Sequence, residues 1–199
     1  MKKLLVLFSM LAASLCLGAV PFLSHQGPGP FDSYLAMNVE FREAHQYLPA
    51  IEKDFGVTLK HRGEAHITVI TPPEYWEGLR KHLTMGEIEA IAQKLNIQTS
   101  DYVPRCVGVG AISEKGKTLK TFYVVVESKS LLEIREAVRK AYEIKAQKAG
   151  DLAPSKFMPK AFYPHLTIGF TERDLHESDG IIKDEKSCTE QVAIKKSKR

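Results

Sequence analysis

The sequence predicts an α+β protein built from two pseudo-symmetric lobes with a central cleft between them. The first observation is a short pattern, His-x-Thr-x, which occurs at residues 66–69 and again at residues 165–168, each time within a run typical of a β-strand. The second is that each copy closes a strand–helix–strand unit, over residues 34–70 and over residues 119–170. The composition, 44% hydrophobic and 26% charged in 199 residues, suits one folded domain and argues against a disordered chain.

Three elements make up the first unit: a strand over residues 34–41, a helix over residues 42–54 and the first motif strand over residues 64–70. Within the helix, Ala44, Leu48 and Ile51 recur at helical spacing. Pro72 and Pro73 end the motif strand, because successive prolines cannot continue a β-ladder.

The remaining elements are a helix over residues 84–95, a hairpin of strands over residues 106–112 and 119–127, a helix over residues 130–146 and the second motif strand over residues 163–170. Both helices begin with the spacing of a capping box, Thr84 with Glu87 and Ser130 with Glu133. If the two units pair symmetrically, the two motif strands lie side by side and both histidines face one cleft.

The first 19 residues are typical of a secretory signal peptide, with Lys2 and Lys3 before an apolar run that ends in small residues. We therefore expect a secreted protein, extracellular or periplasmic, with no stable membrane association once the signal is removed. The sequence divides into a signal peptide, residues 1–19; a Gly/Pro-rich linker, residues 20–33; the domain, residues 34–185; and a basic tail, residues 186–199.

Signal cleavage leaves two cysteines, Cys106 and Cys188. In an oxidising compartment they either pair or remain as two thiols, and the sequence does not decide between these states. Neither has a second cysteine at zinc-ligand spacing, so a structural zinc site is not predicted.

The two motifs place an imidazole and a hydroxyl on the same face of each strand, because residues two apart in a strand point the same way. His66 and Thr68 form the first pair, and His165 and Thr167 form the second. Two imidazoles that titrate near neutrality, each beside a hydroxyl, are the minimum for metal-free acid–base chemistry on a phosphate ester.

These residues, with Tyr163-Pro164 ahead of the second motif, resemble the 2H phosphoesterases, which are named for two His-x-Thr/Ser-x motifs. The resemblance covers residues 34–170, and residues 169–176 are similar to a secreted subgroup called Swiss Army Knife RNA repair-like proteins. It implies a 2H phosphoesterase-like fold of antiparallel-rich sheets flanked by helices. It also implies hydrolysis of 2′,3′-cyclic or related nucleotide phosphodiesters without a metal or other cofactor.

In that reaction the expected catalytic residues are His66, Thr68, His165 and Thr167. One histidine deprotonates water and the other protonates the leaving ribose oxygen, while the threonine hydroxyls bind non-bridging phosphate oxygens. The sequence does not say which histidine takes which part. The expected partner is a nucleotide or RNA-end substrate, bound by a monomer.

Four further side chains are candidates for binding the substrate: Tyr163, Lys160, Lys120 and Trp76. The lysines could reach the phosphate and the aromatic rings could stack on a base, although solvated lysines and a Trp that caps the core are the ordinary alternatives. Two other functions stay open. One is a metal-dependent hydrolase using His66, His165 and a carboxylate such as Glu64, and the other is a non-catalytic module that binds nucleotides or RNA.

Overall fold

The computed structural model describes residues 20–194. The predicted signal peptide and the last five residues of the basic tail lie outside the described residues. Within residues 20–194, none of the helices combines the length and apolar character needed to cross a bilayer.

A single antiparallel sheet in the strand order β1-β2-β5-β4-β3 organises the molecule. Its strands are β1 (Leu35–Val39), β2 (Ala65–Ile70), β3 (Val103–Glu114), β4 (Lys117–Glu127) and β5 (His165–Phe170). The α-helices are α1 (Phe41–His45), α2 (Leu48–Phe55), α3 (Met85–Lys94) and α4 (Lys129–Lys148). A π-helix (Glu74–Leu79) and three 3₁₀-helices (Ile97–Thr99, Glu177–Asp179 and Glu185–Ser187) complete the structure.

The predicted α+β fold with two related halves is confirmed. β1, α1, α2 and β2 form one strand–helix–strand half, and β4, α4 and β5 form the other. The motif strands β2 and β5 are neighbours at the centre of the sheet, and both halves share this one sheet.

Alternation along the strands separates an apolar face from a polar one. Ile67 and Val69 of β2 and Leu166 and Ile168 of β5 are buried in one hydrophobic core. Apolar side chains of all four α-helices belong to the same core, as Leu48, Ile51, Ile88, Ala44 and Val138 show. The motif histidines and threonines lie on the opposite face, which the helices leave open.

Two predicted helix boundaries differ in the structure. The helix expected over residues 42–54 is divided into α1 and α2, because Pro49 in the first turn of α2 has no N–H to donate to His45. The cap of α4 is Ser128, whose Oγ accepts a bond of 3.2 Å from the Leu131 N–H, whereas Ser130 was expected. The capping box of Thr84 and Glu87 at α3 is confirmed.

Both chain ends of the described region pack against the domain. Ser24 Oγ and Gln26 Nε2 each donate a 2.7 Å bond to the buried carboxylate of Glu89 on α3, so the segment expected to be a linker is attached. At the other end, a disulfide joins Cys106 of β3 to Cys188. Residues 187–189, expected to be part of the basic tail, therefore lie along β3, an arrangement that composition alone does not indicate.

One buried cation connects the two halves. Arg135 of α4 has 1% of its side chain exposed, and its guanidinium pairs with both carboxylate oxygens of Glu74, at 2.6 and 3.0 Å. The same group donates to the carbonyl of Val69 at the end of β2, at 2.6 Å. It also donates to three carbonyls in the loop before β5, those of Met158, Pro159 and Ala161. Arg135 thus fixes the segment after one motif strand relative to the segment before the other.

We expect Arg135→Met to lower the free energy of unfolding by about 3–5 kcal/mol, because it leaves Glu74 and four carbonyls without their partner in a buried place. Urea denaturation followed by circular dichroism measures this change. Lys140→Met, at an exposed position of the same helix, is the matched control and should change stability by less than about 0.5 kcal/mol. Similar stabilities for the two variants would show that the network is not what holds the halves together.

Candidate active site

The central pair of strands brings the two motifs together. Ile67 of β2 is opposite Leu166 of β5 in an antiparallel register. Continuing that register by one residue in each direction places His66 opposite Thr167 and Thr68 opposite His165. Each imidazole therefore has a hydroxyl from the other half as its cross-strand neighbour.

All four side chains line one cavity of about 460 Å³ on the open face of the sheet. The size suits a small ligand such as a mononucleotide. Besides the motif residues, its polar lining includes Tyr34, His61, Arg62, Glu64, Tyr163, Asp174, His176, Glu177 and Lys183.

His165 is held in one tautomer. Its Nδ1 lies 2.8 Å from the carbonyl oxygen of Tyr163, which can only accept, so Nδ1 carries the proton and Nε2 is the nitrogen left for chemistry. Burial and then the Lys183 ammonium lower the pKa of His165 to about 3. The ring is therefore neutral in the empty site, with a lone pair on Nε2.

His66 has a different neighbour. Its buried Nδ1 has no hydrogen-bond partner among the described residues, and the closest carboxylate oxygen, Oε1 of Glu64, is 3.6 Å away. Burial lowers the pKa of His66, and the charge of Glu64 opposes that shift. A movement of a few tenths of an ångström would let Nδ1–H donate to Glu64 and would stabilise the protonated ring.

Asp174 contacts several of the other polar side chains in and around the site. This buried carboxylate accepts hydrogen bonds from Thr121 Oγ1 at 2.8 Å, from Lys183 Nζ at 3.1 Å and from Thr167 Oγ1 at 3.4 Å. Arg62 Nη2 and His176 Nε2 both lie 3.9 Å from it. One anion therefore orients several donors that an incoming phosphate could also use.

Only one of the four additional substrate-binding candidates lines the cavity. Tyr163 does so, with 38% of the residue exposed. Lys160 lies at a smaller neighbouring hollow. Lys120 is on the face of β4 that packs against helices, and its ammonium is 5.6 Å from the centre of the Phe55 ring.

Trp76 is also outside the cavity lining. It belongs to the π-helix after β2, and the Arg80 guanidinium lies 3.8 Å above its ring. Its nearest link to the cavity is the ring of Phe31, 5.8 Å away, which does line it. Phe31 comes from the predicted linker and has a left-handed backbone, with φ 63°.

Asp174, Lys183 and Phe31 are among the site residues that the sequence analysis did not find, together with Tyr34, Arg62 and His176. One signal was present: Gly108 and Gly110 interrupt the middle of β3, and glycines inside a strand mark a close approach by another segment. A Cβ on Gly108 would lie 2.8 Å from Ser187 Oγ, and one on Gly110 would lie 2.5 Å from a methyl carbon of Ile181. The two glycines thus admit the segment that carries Lys183.

The cavity is lined by imidazoles, hydroxyls, cations and carboxylates. Within residues 20–194, no three or more His, Cys, Asp or Glu side chains are grouped so that they could hold a metal ion. In particular, His66, His165 and Glu64 do not form such a group.

Comparison with known proteins gives one match. A family model described as "Swiss Army Knife, 2H phosphoesterase domain" matches residues 33–176, which include both motifs and Asp174. Comparisons with curated proteins and with solved structures give no significant match.

We expect both motif histidines to stay neutral below pH 6.5, the usual pKa of histidine, because burial lowers the pKa of each. As the pH falls, the unfolded chain binds protons at these two histidines at a higher pH than the folded chain does. The histidines therefore contribute stability to the folded state that is fully present above pH 6.5 and is lost as the pH falls below it. Histidine ring carbon shifts in an NMR titration measure the effect, with the urea-unfolded protein as the control. A normal titration of His165 in the folded protein would contradict it.

Proposed function

The chain belongs to the 2H phosphoesterases of the Swiss Army Knife group, and we propose that it is a metal-independent phosphodiesterase acting on 2′,3′-cyclic phosphates or related diesters of nucleotides and RNA ends. The resemblance inferred from the two motifs is thereby confirmed at the level of the family. The observation that carries the proposal is the register of β2 and β5, which puts two imidazoles and two hydroxyls on one cavity wall.

The proposed reaction is hydrolysis of a cyclic phosphate. The oxygen of a water molecule bonds to phosphorus while the bond from phosphorus to the ribose 2′ or 3′ oxygen breaks. The proton lost by water goes to one imidazole, and the other imidazole gives its proton to the ribose oxygen. The product is a nucleotide monoester, and proton exchange with solvent restores both rings.

We assign His165 as the base and His66 as the acid. His165 is neutral, has its lone pair on Nε2, and lies near the Lys183 ammonium, which disfavours a second positive charge. His66 lies beside the Glu64 carboxylate, which favours the protonated ring. The negative charge of a bound phosphodiester raises the pKa of both rings, so protonation of His66 accompanies substrate binding.

The threonine hydroxyls bind the phosphate in this scheme. The Thr68 hydroxyl makes no hydrogen bond with any other group within residues 20–194, and the bond from the Thr167 hydroxyl to Asp174 is long, at 3.4 Å. Both hydroxyls are therefore available to donate to non-bridging oxygens, where negative charge accumulates in the transition state.

We also propose that the protein works outside the cytosol as a monomer without stable membrane association. The basic and apolar start of the chain and the disulfide between Cys106 and Cys188 both support export to an oxidising compartment. Extracellular RNA fragments with cyclic ends, or small cyclic nucleotides, are the substrates most consistent with that location.

We expect the mature protein to hydrolyse a 2′,3′-cyclic mononucleotide in EDTA, and His66→Ala and His165→Ala each to lower kcat by at least about 10²-fold, the usual contribution of one acid or base. Chromatographic separation of substrate and monoester product measures turnover. His82→Ala is the matched control, because His82 pairs with Asp151 away from the cavity. Turnover that EDTA abolishes would favour the metal-dependent alternative, and no turnover with any of the four bases would favour a non-catalytic binding module.

We expect Glu64→Gln to move the alkaline limb of the kcat/KM profile to lower pH. Glu64 raises the pKa of His66, so removing its charge makes the acid lose its proton earlier as the pH rises. Glu172→Gln, which removes a surface carboxylate paired with Lys60, should leave the profile unchanged. If the acid limb moves instead, the two histidines have the opposite roles.

A further inference from the structure

A buried lysine beyond the family match faces the proposed phosphate site. Lys183 lines the cavity with His165 and Thr167, and only 4% of its side chain is exposed. The family match ends at residue 176, so nothing in that match assigns a role to this residue.

The charge around Lys183 is balanced only in part. Its Nζ donates to Asp174 at 3.1 Å and lies 5.3 Å from the centre of the Tyr123 ring. Asp174 is also the nearest carboxylate to Arg62 and is close to His176, so more than one positive group shares one buried anion. Two more carboxylates, Glu64 and Glu177, line the cavity, and both are exposed at its rim. A phosphodiester bound between the motif hydroxyls and Lys183 would add a negative charge beside these positive groups, which otherwise share one buried carboxylate.

The C-terminal segment, residues 177–194, holds Lys183 in place through contacts with β3. The disulfide of Cys188 with Cys106 is the covalent anchor. Beside it, Gly108 and Cys188 form an isolated β-bridge, and the Thr189 N–H donates a hydrogen bond of 2.9 Å to the Val107 carbonyl. These contacts lie five and six residues from Lys183, so the lysine has little freedom to leave the cavity.

We propose that Lys183 is a further catalytic residue, which binds a non-bridging oxygen of the phosphate, and that the Cys106–Cys188 disulfide holds it there. This inference rests on the proposed function, because it assumes that a phosphodiester occupies the cavity. The ammonium transfers no proton; it neutralises the negative charge that grows on the non-bridging oxygens as water adds to phosphorus. The site is thus completed by a segment that is distant in sequence from both motifs.

The first test compares Lys183→Met with Lys186→Met, an exposed lysine of the same segment. We expect Lys183→Met to lower turnover of 2′,3′-cyclic AMP by about 10²-fold, and Lys186→Met to leave it unchanged. Lys183→Met should also abolish the rise in melting temperature that inorganic phosphate gives the wild type, while its circular dichroism spectrum stays native.

If Lys183 serves only to compensate the negative charge of Asp174, removing that charge as well should make the lysine unnecessary. A double variant tests this structural role. Lys183→Met with Asp174→Asn removes both charges and keeps a polar amide for Thr121 and Thr167. If Lys183 binds phosphate, the double variant stays as inactive and as insensitive to phosphate as Lys183→Met. Recovery of turnover and of phosphate stabilisation would overturn the proposal.

Turnover by the wild type distinguishes failure of this inference from failure of the proposed function. Absence of turnover of the 2′,3′-cyclic mononucleotides of all four bases overturns the hydrolytic function, and the phosphate arm then decides the role of Lys183 alone. If phosphate stabilises Lys183→Met as much as the wild type, the lysine does not bind it.

The second test addresses the disulfide. Reducing Cys106–Cys188 with dithiothreitol should lower wild-type turnover toward that of Lys183→Met and should have no further effect on that variant. The paired substitution Cys106→Ser with Cys188→Ser should reproduce the loss without reductant. Full turnover by a protein with two titratable thiols would show that the disulfide does not position the lysine.

Discussion

The arrangement of this molecule depends on the buried guanidinium of Arg135. Burying a cation is costly, and the structure offsets the cost by giving it a carboxylate, Glu74, and four backbone carbonyls as partners. Those partners come from three places: the end of β2, the π-helix after it, and the loop that leads into β5. The geometry between the two motif strands therefore depends on a guanidinium whose N–H groups are all bonded to other parts of the protein.

The two similar motif strands place their histidines in different electrostatic surroundings. Each carries the same His-x-Thr pattern, and burial lowers the pKa of each histidine. The difference lies in what faces Nδ1: a neutral carbonyl of Tyr163 for His165, and a carboxylate of Glu64 near His66. A pseudo-symmetric backbone thus gives the two imidazoles different electrostatic surroundings, as the proposed assignment of one acid and one base requires.

The sequence predicted what strand periodicity controls and missed what long-range packing controls. Alternation was enough to place His66 and His165 on one face, because each motif strand has a clearly apolar opposite face. β4 is apolar on both faces, since the C-terminal segment covers one of them, so alternation did not show that Lys120 points toward the helices. Lys183 could not be found from its own surroundings in the sequence, which are polar and irregular. The glycines of β3 were a sign of the segment that carries it, and Gly110, where a Cβ would meet Ile181, was the clearer of the two.

Some residues that line the cavity lie outside residues 33–176, the range of the family match. This affects how the protein should be prepared. A shortened protein cut to residues 33–176 would keep both motifs and the whole sheet. It would lack Phe31 and Lys183, together with the cysteine that pairs with Cys106. A substrate screen on that fragment would therefore test an incomplete cavity. Screening therefore belongs with the full mature chain, produced where its disulfide forms.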